Sequence, residues 1–129
     1  MAKQNTWYKC EICGNIVAVV NAGAGELVCC GEPMNEMKIQ SVGDEGYEKH
    51  VPVVTIDGDK VYVKIGEISH PMEDAHHLQV VQIVRDGAVV EGKRLYPGHE
   101  TEVTFILEET EGIKVRTICN VHGLWVDRK

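Results

Sequence analysis

The stretch Val51-Pro52-Val53-Val54-Thr55-Ile56-Asp57-Gly58-Asp59-Lys60-Val61-Tyr62-Val63-Lys64-Ile65 decides the fold. Apart from Pro52, its first six residues are β-branched, and such stiff side chains pack well on a pleated surface. Its last six alternate: Lys60, Tyr62 and Lys64 share one parity, Val61, Val63 and Ile65 the other. A period of two is the mark of a strand with one buried face. Asp57-Gly58-Asp59 between the halves is a turn signal, so the stretch predicts two strands joined in a hairpin.

Reading toward the C-terminus, residues 78–84, 101–107 and 113–118 are further apolar runs of strand length, and Asp86-Gly87 and Pro97-Gly98 mark further turns. Aromatic residues make up only 5% of the chain, whereas Val and Ile are prominent. No segment carries a helical period, and no internal repeat is present. Repeated short strands with regular turn signals predict an all-β fold, an antiparallel β-sandwich or barrel.

Reading toward the N-terminus, the character changes. In the first 37 residues the runs Ile16-Val17-Ala18-Val19-Val20 and Glu26-Leu27-Val28 flank the turn-rich Asn21-Ala22-Gly23-Ala24-Gly25, which predicts a hairpin. A unit below about 40 residues needs a metal, disulfides or a partner to hold it. Two domains are therefore expected, at residues 1–37 and 38–129.

The net charge of −7 and the absence of a basic cluster argue against nucleic acid or an anionic membrane as partner. No apolar run reaches the ~18 residues needed to span a bilayer. The opening Met1-Ala2-Lys3-Gln4-Asn5-Thr6-Trp7 has no apolar core of a secretory signal. A soluble cytoplasmic protein is expected. In a reducing compartment, five cysteines point to metal or redox chemistry rather than structural disulfides.

Cys10-Glu11-Ile12-Cys13-Gly14 is a metal knuckle: two intervening residues let both sulfurs face one ion, and the glycine permits the tight turn. After fifteen intervening residues come Cys29-Cys30-Gly31. Together they offer four thiolates, the set for tetrahedral zinc or iron, with a dithiol switch as a further reading. Successive side chains of an extended backbone point apart. Chelation by Cys29 and Cys30 is therefore expected to widen the angle between them at the metal.

The six histidines are His50, His70, His76, His77, His99 and His122. Cys119-Asn120-Val121-His122-Gly123 repeats the knuckle spacing with an imidazole in place of the second thiol. With His50 just before a strand and His70, His76 and His77 in one short tract, a second metal site is expected. His99, after Pro97-Gly98, reads as a solvent-facing loop residue.

These motifs in combination, with Glu48-Lys49-His50-Val51-Pro52, His70-Pro71-Met72 and Cys119-Asn120-Val121-His122-Gly123-Leu124-Trp125, resemble desulfoferrodoxin, the two-iron class of superoxide reductase, along the whole chain. The resemblance implies a desulforedoxin-like N-terminal domain with an Fe(Cys)4 centre on Cys10, Cys13, Cys29 and Cys30. It implies an immunoglobulin-like β-sandwich with an Fe(His)4(Cys) centre on His50, His70, His76, Cys119 and His122. His76 is preferred over His77 by its place six residues after His70. The tract Leu78-Gln79-Val80-Val81 departs from the family, which commonly has a tryptophan there.

By the same resemblance, superoxide would be reduced to hydrogen peroxide opposite the thiolate, with electrons from a rubredoxin-like donor, in a homodimer. Ferrous iron with four neutral imidazoles and one thiolate carries a formal charge of +1, and the sulfur pushes electron density toward the open position. Lys49 would attract the anion against the protein's own negative charge and help deliver a proton. Glu48 resembles the carboxylate that occupies the open position of ferric iron, and Gly43-Asp44-Glu45-Gly46 offers hinges for its movement. The competing readings are an iron electron-transfer protein without substrate chemistry, a zinc-ribbon-like binding module, and a dismutase.

Overall fold

The structure is a computed structural model that describes residues 2–128. The chain divides into two compact units, one up to Lys38 and one from Ile39.

The first unit holds β1 (Trp7–Lys9), β2 (Ile16–Ala18), β3 (Val28–Cys29), β4 (Glu32–Pro33) and β5 (Asn35–Glu36). Strand β1 lies between β2 and β5, antiparallel to both, while β3 and β4 form a separate two-stranded ladder. The expected hairpin between the runs at 16–20 and 26–28 is therefore not formed. The cysteine turns decide the pairing instead. The Cys10 N–H donates to Asn15 O and the Gly14 N–H to Cys10 O, closing β1 onto β2 through the knuckle. Cys30 and Gly31, with φ of 55° and 76°, form the two-residue loop that closes β3 onto β4. Two positive φ values are what a type I′ hairpin requires. Few side chains are buried here, chiefly Tyr8, Cys10 and Val19.

The second unit runs β6 (Ile39–Gln40), α1 (Tyr47–His50), β7 (Pro52–Asp57), β8 (Lys60–Ile65), β9 (Leu78–Arg85), β10 (Ala88–Arg94), β11 (Glu102–Ile106), β12 (Ile113–Cys119) and β13 (Gly123–Val126). One sheet has the order β10-β9-β12-β13-β6, the other β11-β8-β7. Val61, Val63 and Ile65 of β8 and Val103 and Phe105 of β11 share one core with Val81 and Ile83 of β9 and Val115 of β12. The unit is thus a β-sandwich, and each fully buried Val or Ile contributes about 1.5–3 kcal/mol of transfer free energy. The pairing is antiparallel except between β13 and β6, which run parallel.

The helix α1 and the strands β6, β10 and β13 lie outside the sequence expectation. The single turn α1 was not foreseen; its N-cap, Gly46, has φ of 85° and no side-chain cap. Strand β10 is exposed at all seven positions and forms an edge, so it carries no apolar alternation to read. Among the described residues, no helix is long and apolar enough to cross a membrane.

Candidate metal centres

In the first unit the sulfurs of Cys10, Cys13, Cys29 and Cys30 all lie within 4.8 Å of one another. The Cys13–Cys29 separation is 3.6 Å and the Cys29–Cys30 separation 4.0 Å. A tetrahedron with metal–sulfur bonds of about 2.3 Å has edges of about 3.8 Å. Of these two separations the adjacent pair has the longer. The left-handed backbone at Cys30 breaks the extended geometry that would send neighbouring side chains apart, at a cost of about 1–2 kcal/mol for a non-glycine residue.

Hydrogen bonds to sulfur prepare the cluster. The Cys13 N–H donates to Cys10 Sγ at 3.5 Å, and the Asn15 side-chain amide to Cys29 Sγ at 3.7 Å. The Cys13 N–H is the main reason that the Cys10 thiol is lowered to about 7. The Cys30 thiol, beside Cys13 and Cys29, is pushed up to about 12, and Cys29 is raised by Cys10 and Cys13. One thiolate forms readily and its neighbours resist joining it. A cation at the centre removes that conflict, which fits the donor set to a thiolate-loving metal.

The second group is assembled from three segments. His50 ends α1 and donates through Nδ1 to Gly46 O at 2.8 Å, leaving Nε2 as the donor atom. Its ring stacks on Trp125 with centroids 4.7 Å apart and planes 17° apart. His70 uses Nδ1 in the same way, on Pro71 O at 2.7 Å, and its Nε2 lies 3.1 Å from that of His50. Backbone carbonyls of this kind fix the tautomer and the ring direction of a metal ligand. Met72 packs on the sandwich core and its sulfur accepts the Leu78 N–H, anchoring the tract.

Cys119 and His122 flank the turn from β12 to β13. The strand register shifts between Ile118 and Cys119, an irregularity of the kind that re-aims a side chain. The His122 N–H donates to Cys119 Sγ at 3.4 Å, and His122 Nδ1 lies 3.8 Å from that sulfur. His122 O accepts from the Gln40 amide at 2.7 Å and from the Trp125 indole at 3.1 Å.

Ligand atoms of His50, His76, Cys119 and His122 lie within 4.8 Å of one another, with His70 beside His50. The four rings form a near-square. Neighbouring centroids are 4.6 Å (His50–His70), 4.7 Å (His70–His76), 5.0 Å (His76–His122) and 4.8 Å (His122–His50). The His50–His76 separation of 6.4 Å is close to the diagonal of a square with those sides. Burial lowers His50, His70 and His76, His70 to about 4, so these imidazoles are neutral donors near pH 7. Burial raises the Cys119 thiol, which needs a cation to ionise. Most telling, His76 Nε2 is buried and has no hydrogen-bond partner, an orphan that a metal would satisfy.

His77 stays out of the group: its Nδ1 reaches Glu73 O at 3.2 Å. His99 is exposed and its Nδ1 accepts the Tyr96 N–H. Lys49 is exposed on α1, and its charge is felt at both His50 and His76. Glu48 is half-buried, and its backbone carbonyl accepts the Ile68 N–H. Sequence reasoning assigned no role to Trp125, although it stands in the same motif as Cys119 and His122. Gln40 carries no local signal.

The family model described as "Desulfoferrodoxin, N-terminal domain" matches residues 2–37, and the model described as "Desulfoferrodoxin" matches residues 42–128. The chain is 49% identical over 118 residues to a desulfoferrodoxin homolog of Archaeoglobus fulgidus, covering 92% of each chain. It is 36% identical over 100 residues to a superoxide reductase of Thermococcus kodakarensis, covering 64% of this chain and 87% of the relative. Among solved structures it resembles the superoxide reductase of Treponema pallidum, with a TM-score of 0.70, 25% identity and 94% of each chain covered.

Proposed function

Because the chain belongs to the desulfoferrodoxin family, we propose that it is a superoxide reductase with iron in both centres. The reaction is superoxide plus one electron and two protons to hydrogen peroxide. One observation carries the reading: four imidazoles lie around a square, with a buried thiol beside them. Five such donors would leave room for a sixth ligand on an octahedral metal, a place for a small anion. A ferrous ion held by these residues would supply the single electron.

The residues do the rest. His50, His70, His76, His122 and Cys119 would hold the iron, and the Cys119 thiolate would lend it electron density. Burial keeps the His50, His70 and His76 imidazoles neutral, so the loaded centre would present positive charge to the anion. Lys49 adds a local cation on a protein whose net charge of −7 repels superoxide at long range. It also orders the water that supplies a proton. Glu48 would supply a carboxylate to the centre between turnovers. Its backbone carbonyl accepts the Ile68 N–H, and Val51 N–H to Tyr47 O closes the turn around it, so the movement would belong to its side chain. The electron donor is a rubredoxin-like protein, and the protein works in the cytoplasm as a homodimer.

The test is rapid mixing of the reduced, iron-loaded protein with superoxide. One peroxide per superoxide, without oxygen evolution, supports the reading. Oxygen evolved alongside peroxide means a dismutase, and no spectral change at the histidine-ligated centre means an electron carrier.

A further inference from the structure

We propose that Asn120 is a positioning residue that clamps the segment carrying His76 to the turn carrying Cys119 and His122. The inference rests on the metal-binding reading of those side chains. Asn120 lies between Cys119 and His122 in the chain, yet its three hydrogen bonds go elsewhere. Its side-chain oxygen accepts the His77 N–H at 2.9 Å, its side-chain amide donates to Ala75 O at 3.1 Å, and its own N–H donates to His77 O at 3.1 Å. The residues so gripped, Ala75 and His77, are the two neighbours of His76.

The grip matters because little else holds His76. Its own segment is a tight turn closed by Glu73 N–H to His76 O and His76 N–H to Glu73 O. Unlike His50 and His70, which have Nδ1 on a backbone carbonyl, its ring has an Nε2 with no partner. No strand of the sandwich contains it. The position of the fourth imidazole relative to the thiolate therefore depends on this carboxamide, which spans 43 and 45 residues of sequence with its two side-chain bonds, beside the pairing of Leu78 with Cys119 where β9 begins. The clamp also separates His76 from His77. With both backbone groups of His77 bound to Asn120, its ring turns to Glu73 O instead of the metal.

The test uses full-length protein with Co(II) as probe, so it does not depend on superoxide turnover. The parent, Asn120→Ala and Asn120→Asp are titrated at the histidine centre, with the four-cysteine centre as an internal control. Loss of a group that orients a ligand weakens metal binding about 10–100-fold. Asn120→Ala is expected to lose that much at the histidine centre only, with a changed visible spectrum there. Asn120→Asp keeps the acceptor for the His77 N–H but replaces the donor to Ala75 O with a charge, so it should fall between. If Asn120→Ala does not fold, Asn120→Asp decides: weakened binding with an altered spectrum supports the clamp. Parent-like affinity and spectrum in the folded variants overturn it, as does a lower unfolding midpoint with unchanged metal binding. If the parent itself binds no Co(II) through its imidazoles, the metal-binding reading fails instead.

Discussion

Replacing Gly66 with alanine should damage the histidine centre from outside it. Gly66 has φ of 81°, and a Cβ there would stand 2.6 Å from Lys49 C, Lys49 O and Ile68 O. All three are backbone atoms, so no flexible side chain can yield. Contact must open from 2.6 Å to the 3.4 Å at which ordinary packing begins, and two of the three atoms belong to the residue before His50. A left-handed alanine costs about 1–2 kcal/mol, and overpacking of this kind a further ~1–3 kcal/mol. A loss of roughly 2–5 kcal/mol corresponds to a fall in Tm on the order of 10–40 °C for a unit of this size. Gly58→Ala is the control: its φ is 62°, and an added Cβ meets nothing within 4 Å. It should lose only the backbone part, about 1–2 kcal/mol. Urea and thermal unfolding of both variants, with metal content at the histidine centre, give the comparison. Equal destabilisation by the two, or a Gly66→Ala protein that holds its metal as the parent does, would refute the packing argument.

Other outcomes follow from the same geometry. In metal-free protein, His70 is lowered from 6.5 to about 4, so between these values the unfolded chain binds more protons than the folded one. The penalty is absent above pH 6.5 and grows as pH falls toward 4, reaching about 3 kcal/mol; a urea midpoint that stays flat across this window contradicts it. Lys49→Ala should slow the encounter with superoxide several-fold and weaken its salt dependence, as stopped-flow rates at varied ionic strength will show. Trp125→Ala removes both the stack on His50 and the bond to His122 O, and should cost about 3–5 kcal/mol. Trp125→Phe keeps a ring under His50 and should lose only about 1 kcal/mol for the missing N–H; denaturant titration of the two variants separates packing from hydrogen bonding.

Ligands and scaffold differ in how far the sequence exposes them. His50, His70, Cys119 and His122 are legible because their chemistry resides in the side chain and only a few residue types can supply it. The strand β8 is legible for a similar reason, since burial alternates along Lys60–Ile65 with its side chains. Asn120 and Gln40 are not, because what they bind are backbone carbonyls and N–H groups, which every residue type presents. The knowledge that 120 meets 75 and 77 exists only once β12 and the ligand tract are folded together. Strand β10 fails for the opposite reason: with all seven side chains exposed, its place rests on backbone pairing with β9 alone. The hairpin expected around residues 21–25 shows the two kinds of information in conflict. Apolar runs there suggested one pairing, while the turns at Cys10–Gly14 and Cys30-Gly31 impose another. Turn geometry prevails because a unit with so small a core gains little from matching apolar faces. Cys29-Cys30-Gly31 carried the clue. Neighbouring side chains diverge only while the backbone is extended, and a glycine after the pair is what a two-residue loop with positive φ calls for. In this unit the candidate metal ligands lie in or beside the turns, so the spacing that would chelate is the spacing that folds.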